Sequence, residues 1–264
     1  MEKIVLYCKS YKNDIERVIR LVESVKKFNT DNIPMYISVP KQDIELFTNK
    51  LSDVNLIEDE LIYIGNKPGW IQQQIVKSNF WRLNISENYI SIDSDSYFIK
   101  PFSISDFMFD ENTPYTVIHE QKELFSWSST KINDLGFNPK HGFEEDRKKI
   151  MELFERKGKY YDFGPSPNIW SSKVWKSLDT NYTTPNGLTF EQLLEYSHSE
   201  FSWYGEALLA FKAIDIYPAE PLFKVFHYPG QYIEYKKQGI TEEMIADNYL
   251  GVVLQSNFNA PINY

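Results

Sequence analysis

The first hundred residues alternate short apolar runs with amphipathic stretches. Ile4 to Cys8 is an unbroken apolar run of strand length, the pattern of a strand buried on both faces. From Asp14 to Phe28, Ile15, Val18, Ile19, Val22 and Val25 recur at helical spacing, and Asp14 stands where a helix N-terminus favours an acid. Met35 to Val39 predicts a second strand, Asp43 to Leu51 a second helix and Val54 to Glu58 a third strand. Strands alternating with helices predict an α/β, Rossmann-like domain with a central, mainly parallel mixed sheet flanked by helices. Gly69 opens a further helix, Trp70 to Leu83. Tyr89 to Asp93 is an apolar strand that ends in acids, and Pro101 stops regular structure after it.

Beyond residue 100 the pattern loosens. Tyr115 to His119 predicts a strand, Gln121 to His141 is polar and irregular, and Glu144 to Lys157 is helical in pattern. Phe163-Gly164-Pro165-Ser166-Pro167 requires a constrained loop. Thr189 to Tyr196 and Glu200 to Lys212 predict helices, and Leu222 to His227 and Tyr249 to Gln255 the last strands. We expect one domain whose residues 1–100 bind a nucleotide and whose residues 101–264 bind an acceptor and carry catalysis.

Composition narrows the function. Aromatic residues reach 16%, with 18 Tyr, 18 Phe and 6 Trp, which is high for a globular chain; sugars pack their C–H faces on such rings, although core burial is the ordinary fate of an aromatic. A net charge of −9 without a dense Lys/Arg block argues against nucleic acid as partner. The single cysteine, Cys8, cannot form an intramolecular disulfide, which suits a reducing compartment. With no signal-peptide pattern and no apolar run of transmembrane length, a cytoplasmic protein is expected. An acidic chain holds an anionic ligand where a cation or a lysine neutralises it locally, so clustered carboxylates are the place to look.

The clearest cluster is Ile92-Asp93-Ser94-Asp95. In extended geometry its two acids fall on one side, where they can hold Mg2+ or Mn2+ while diphosphate oxygens and water complete the shell. Such an ion stabilises charge on a leaving nucleoside diphosphate. Asp-x-Asp alone is unspecific in a chain with 37 acidic residues; position adds weight, because ligands of open α/β sheets bind at the carboxyl ends of strands. Asp95 is the preferred direct metal ligand, with Asp93 facing ribose or binding through water.

Other candidates surround this motif. Ser10, Tyr11 and Asp14 follow the first strand and can meet base and ribose, or else cap the turn; Arg17 lies one helical turn on. Trp70, Gln73, Gln74, Lys77 and Trp81 share a helix face, on which Gln73 can fix hydroxyls and Lys77 can meet phosphate. An acceptor hydroxyl needs a carboxylate base for inversion. Glu200 is our first choice and Glu206 the second, against a plain helix-terminus role. Trp127, Phe163, Asn168, Trp170 and Trp203 are the acceptor-side candidates.

The ordered motifs resemble the bacterial DUF6492 group of GT-A-like glycosyltransferases and, more distantly, viral GT-A enzymes. Lys9-Ser10-Tyr11 with Asp14, Arg17, Leu21 and Ser24 is similar to that group's first loop and helix, and Gly69-Trp70 with Gln73, Gln74 and Lys77 to its Gly-Trp, Gln-Gln, Lys helix. Ile92 to Asp95, Gly164-Pro165 with Ile169-Trp170-Ser171, and Ser199-Glu200-Phe201 with Tyr204-Gly205 continue the match along nearly the whole chain. Cys8 and the segment around Trp127 depart from it. The resemblance implies a GT-A fold and transfer of a sugar from a nucleotide donor, UDP-linked by preference, to a glycan or glycoconjugate hydroxyl. It further implies a C-terminal histidine completing the metal site. His227 fills that role, with His119 as competitor. A nucleotidyltransferase or an Asp-x-Asp phosphatase is the rival enzyme, but the motif follows about 90 residues of α/β pattern without a Gly-rich phosphate loop. A non-catalytic sugar- or nucleotide-binding protein is the rival of another class.

Overall fold

In the computed structural model, residues 2–256 and 261–264 are described. A five-stranded sheet forms the centre, in the order β3-β2-β1-β4-β7. It is built from β1 (Glu2–Lys9), β2 (Met35–Val39), β3 (Asn55–Glu58) and β4 (Ser86–Ser91), all parallel, and β7 (Asn168–Ser171), which runs antiparallel along β4. Such parallel neighbours need crossover connections, and α1 (Ile15–Phe28), α2 (Ile44–Lys50) and α3 (Gly69–Asn79) lie in them. β1 occupies the middle and its side chains alternate between two cores. Ile4, Leu6 and Cys8 join Val18, Leu21, Val22 and Val25 of α1 on one face. Val5 and Tyr7 join Ile75, Trp170 and Trp203 on the other. The unbroken apolar run is thus the mark of a strand covered on both sides.

A second sheet, β5-β10-β9, joins β5 (Ser96–Phe98), β10 (Gly251–Leu254) and β9 (Phe223–Phe226), and β6 (Tyr115–Val117) pairs with β8 (Tyr217–Ala219). The expected strand to Asp93 stops at Ser91. Residues 92–95 are the link between the two sheets, tied by the Ile92 N–H to the Tyr7 carbonyl at 2.8 Å and by the Ser96 N–H to the Asp93 carbonyl at 3.1 Å. Asp93 and Asp95 therefore leave a turn, not an extended strand, because the chain must change sheets there.

The second half is more helical than its pattern suggested. The stretch expected to be irregular contains α4 (Lys122–Ser129), α5 (Ile132–Leu135) and the start of α6 (Pro139–Leu153), whose N-terminus is capped by the Asn138 side chain. Tertiary contacts hold this region: Trp127 stacks on Tyr228 with centroids 5.7 Å apart, and its Nε1 donates to Glu234 at 2.8 Å. Further helices are α7 (Ser172–Leu178), α8 (Phe190–Tyr196), α9 (Glu200–Phe211), α10 (Pro229–Lys237) and α11 (Glu242–Ala246). The Phe163–Pro167 loop packs against α9 so closely that a Cβ on Gly205 would lie 1.9 Å from the Phe163 ring; only glycine permits that approach. Among the described residues, no helix is long and apolar enough to cross a membrane.

Candidate functional site

The carboxyl ends of β1 and β4 and the first turn of α9 meet around Lys77. This lysine sits on the buried face of α3, 4% exposed. Its Nζ lies 3.0 Å from Asp93 Oδ1 and 2.5 Å from Glu200 Oε1, with the Phe201 ring centroid 5.0 Å away. Glu200 is itself only 3% exposed. Burial opposes the charges of Lys77 and Glu200, and pairing is what makes them tolerable. Burial lowers the lysine's proton affinity, yet the Asp93 and Glu200 carboxylates outweigh it and hold the ammonium charged. Burial raises the Glu200 pKa, with Lys77 pulling it back.

The turn carrying the acids is held from three sides. The Asp93 N–H donates to Ser166 Oγ at 2.8 Å, which ties the motif to the Phe163–Pro167 loop. Ser94 Oγ donates to Asp14 Oδ2 at 3.3 Å, and Asp95 Oδ2 accepts from the Ser256 N–H at 2.9 Å. Burial, followed by the nearby Asp93 charge, pushes the Asp95 carboxyl up to about 6. Asp14 is raised for the same leading reason, while Ser94 and Arg17 act against it. Arg17 reaches the Leu254 carbonyl at 3.4 Å.

Around this turn lie groups with unused hydrogen-bonding capacity. Ser10 Oγ and Gln74 Oε1 are buried without a hydrogen-bond partner, whereas Tyr11 is 43% exposed and Gln73 half-buried. The Lys9 ammonium sits behind Ser10, paired with buried Asp59 at 2.8 Å. The structure thus gathers Ser10, Asp14, Arg17, Lys77, Asp93, Ser94, Asp95 and Glu200 at one strand-end region.

Other expected site residues go elsewhere. Glu206 is fully buried and ion-paired with Arg156; six residues, about 1.7 helical turns, from Glu200, it lies on a different face. Trp203 and Phe163 are core side chains, 0% and 3% exposed, and the Trp203 Nε1 donates to the Ser197 carbonyl. Trp170 is 1% exposed and packs among Tyr89, Trp175 and Tyr204. These three rings fill the core and offer no face to an acceptor. Asn168 is buried opposite Ser91 with both amide atoms unpartnered, and Trp127 lies on α4, against α10.

The metal set needs a similar correction. His227 has Asp162, Lys224, His119 and Glu123 as its charged surroundings, not Asp93 or Asp95. Among the described residues no three His, Cys, Asp or Glu side chains group as a metal site. What does fit a hard cation is the acidic pair itself: each carboxylate has one oxygen engaged, by Lys77 or by the Ser256 N–H, and their mutual repulsion is the kind a divalent ion relieves.

Sequence reasoning missed Ser166, Ser256, Phe201 and the Lys9–Asp59 pair. Ser166 had a usable signal, a hydroxyl held between two prolines. Ser256 acts through its backbone and leaves none.

Residues 3–228 match the profile of DUF6492, a family of unknown function. Among curated protein sequences none matches the chain. Among solved structures, mouse xyloside xylosyltransferase 1 in its apo form superposes with a TM-score of 0.50 over 98% of this chain and 100% of that one, at 8% identity. That similarity shows a shared fold, a mixed α/β domain with a central, mostly parallel sheet.

Proposed function

The chain belongs to the DUF6492 family, and we propose that it is a nucleotide-sugar-dependent glycosyltransferase. The observation that carries this reading is the Lys77 ammonium, which joins Asp93 of the Asp-x-Asp turn to Glu200 on α9. A cation-binding acid and a potential base are thereby held in fixed relation at the strand ends where α/β folds bind ligands.

In this reading Ser10, Tyr11 and Asp14 receive the nucleoside, Gln73 lies beside the donor, and Asp93, Ser94 and Asp95 face the diphosphate. Asp93 and Asp95 are the residues that would hold Mg2+ or Mn2+, which would supply charge neutralisation for the leaving diphosphate. Glu200 accepts the proton of the attacking hydroxyl, and the lysine beside it counters the rise that burial imposes on its pKa. An inverting outcome follows from that role. Asn168 of β7, buried opposite Ser91 with both amide atoms unpartnered, is the acceptor-side residue kept in this reading. A UDP-linked donor and a glycan acceptor are the preferred substrates.

The test is a panel of UDP-, GDP-, CMP- and dTDP-sugars with and without Mn2+, read by melting temperature and by donor hydrolysis. A ligand that binds only the folded state raises the melting temperature. We expect one nucleotide class to raise it in a metal-dependent way and to be slowly hydrolysed. No shift with any of them overturns the proposal, and a shift without hydrolysis or transfer favours a non-catalytic nucleotide-binding protein.

A further inference from the structure

A cavity of about 810 Å³ is separate from the strand-end site. The two share a wall. Ser166 bonds the Asp93 backbone, its neighbour Pro165 lines the cavity, and His119 Nε2 lies 2.7 Å from the Gly164 carbonyl. Each face of the Phe163–Pro167 loop therefore serves a different compartment.

Both lysines of the cavity wall are already paired. Lys224, 2% exposed, is paired with Glu123, and Lys122 faces Glu120 at 3.5 Å. Burial pulls the His227 imidazole down to about 4, so it is neutral at physiological pH. Among the described residues, no unpaired lysine or arginine lines the walls to hold a phosphate or a carboxylate.

Neutral hydrogen-bonding groups remain available instead. The Gln231 carbonyl oxygen accepts from the His227 and Tyr228 N–H groups at 2.8 and 3.2 Å, leaving its amide NH2 free. Among the described residues, the His227 ring nitrogens and the hydroxyls of Tyr161 and Tyr249 make no hydrogen bond, and these three residues line the cavity with Gln231. A neutral imidazole donates at one nitrogen and accepts at the other, matching a hydroxyl, which does both. The tyrosine rings add apolar faces for C–H groups. The volume falls within the ligand-pocket range of roughly 300–1,000 Å³, room for a short oligosaccharide.

We infer that this cavity is a binding site for a neutral oligosaccharide, held by His227, Gln231, Tyr161 and Tyr249 across the Phe163–Pro167 loop from the Asp-x-Asp turn. Its assignment as the acceptor subsite rests on the transferase reading; the saccharide binding itself does not.

The test uses the full chain with cellotriose, maltotriose and triacetylchitotriose as neutral probes and trigalacturonate as the acidic one, followed by saturation-transfer NMR and titration. At least one neutral trisaccharide is expected to bind in the millimolar range, and trigalacturonate more weakly. His227→Ala is expected to weaken the bound sugar by about three- to tenfold, the effect of one or two lost hydrogen bonds. Tyr249→Phe removes a single hydroxyl and carries the test if the histidine variant fails to fold. Failure of all three neutral sugars to bind, preference for trigalacturonate, or unchanged affinity in a folded variant overturns the inference. The nucleotide melting series on the wild type separates the two readings: sugar binding without any nucleotide effect keeps this site and removes the transferase, and nucleotide binding without sugar binding does the reverse.

Discussion

Glu200 and Glu206 lie on the same helix, both are buried, and each is paired with a cation from elsewhere in the chain. Their surroundings nevertheless give them different parts. Glu200 shares Lys77 with Asp93, so its cation is also a neighbour of the Asp-x-Asp turn. The Arg156 guanidinium is committed to Glu206, with Nη2 donating to Oε1 at 2.7 Å, and Nη1 donates to the Lys159 carbonyl at 3.0 Å. That cluster closes on itself and locks the end of α6 to α9. A buried carboxylate is thus no marker of chemistry; what distinguishes a site is a charge cluster that borders unsatisfied groups such as Ser10 and Gln74.

The largest effect should come from Lys77→Met, which strands two carboxylates around one apolar side chain. Removing one partner of a buried pair costs about 3–5 kcal/mol, so chemical denaturation should show that loss, and transfer should disappear with it. Near-wild-type stability would mean that Asp93 and Glu200 are not held by this ammonium. Next, Glu200→Gln should leave nucleotide binding intact while lowering transfer by about 10²–10⁴-fold, the usual contribution of a general base; equal loss of binding and turnover would assign Glu200 a structural role.

Arg156→Leu provides the contrast. We expect a stability loss of about 3–5 kcal/mol with nucleotide binding per folded molecule unchanged, measured by denaturation alongside nucleotide titration. A selective loss of binding would break the distinction between the two clusters.

His227 shows a third solution, in which a buried group avoids its charge instead of pairing it. Its folded pKa of about 4 lies below the ordinary 6.5. The unfolded chain therefore takes up the proton first, and stability present above pH 6.5 is lost as the pH falls toward 4. The difference between wild type and His227→Gln across that window should reach about 2–3 kcal/mol. A flat difference would mean that the imidazole is solvated.

What the sequence determined is written in local periodicity. The apolar run Ile4 to Cys8 fixes a central strand, the α1 spacing fixes its covering helix, and the acids after β4 mark a strand-end site, because burial of an element leaves its period in its own residues. The shared face of the third helix added Lys77 as a candidate, and the need for a carboxylate base added Glu200. The tertiary structure alone decided that Asp93 and Asp95 leave a turn between two sheets and that Glu206 belongs to Arg156. It also decided that Trp170 and Trp203 are core and that His227 faces a cavity away from the acidic pair. These outcomes join residues distant in the chain, Asp93 to Ser166 and Asp95 to Ser256 among them, and no local pattern records a partner that only folding brings within hydrogen-bond reach.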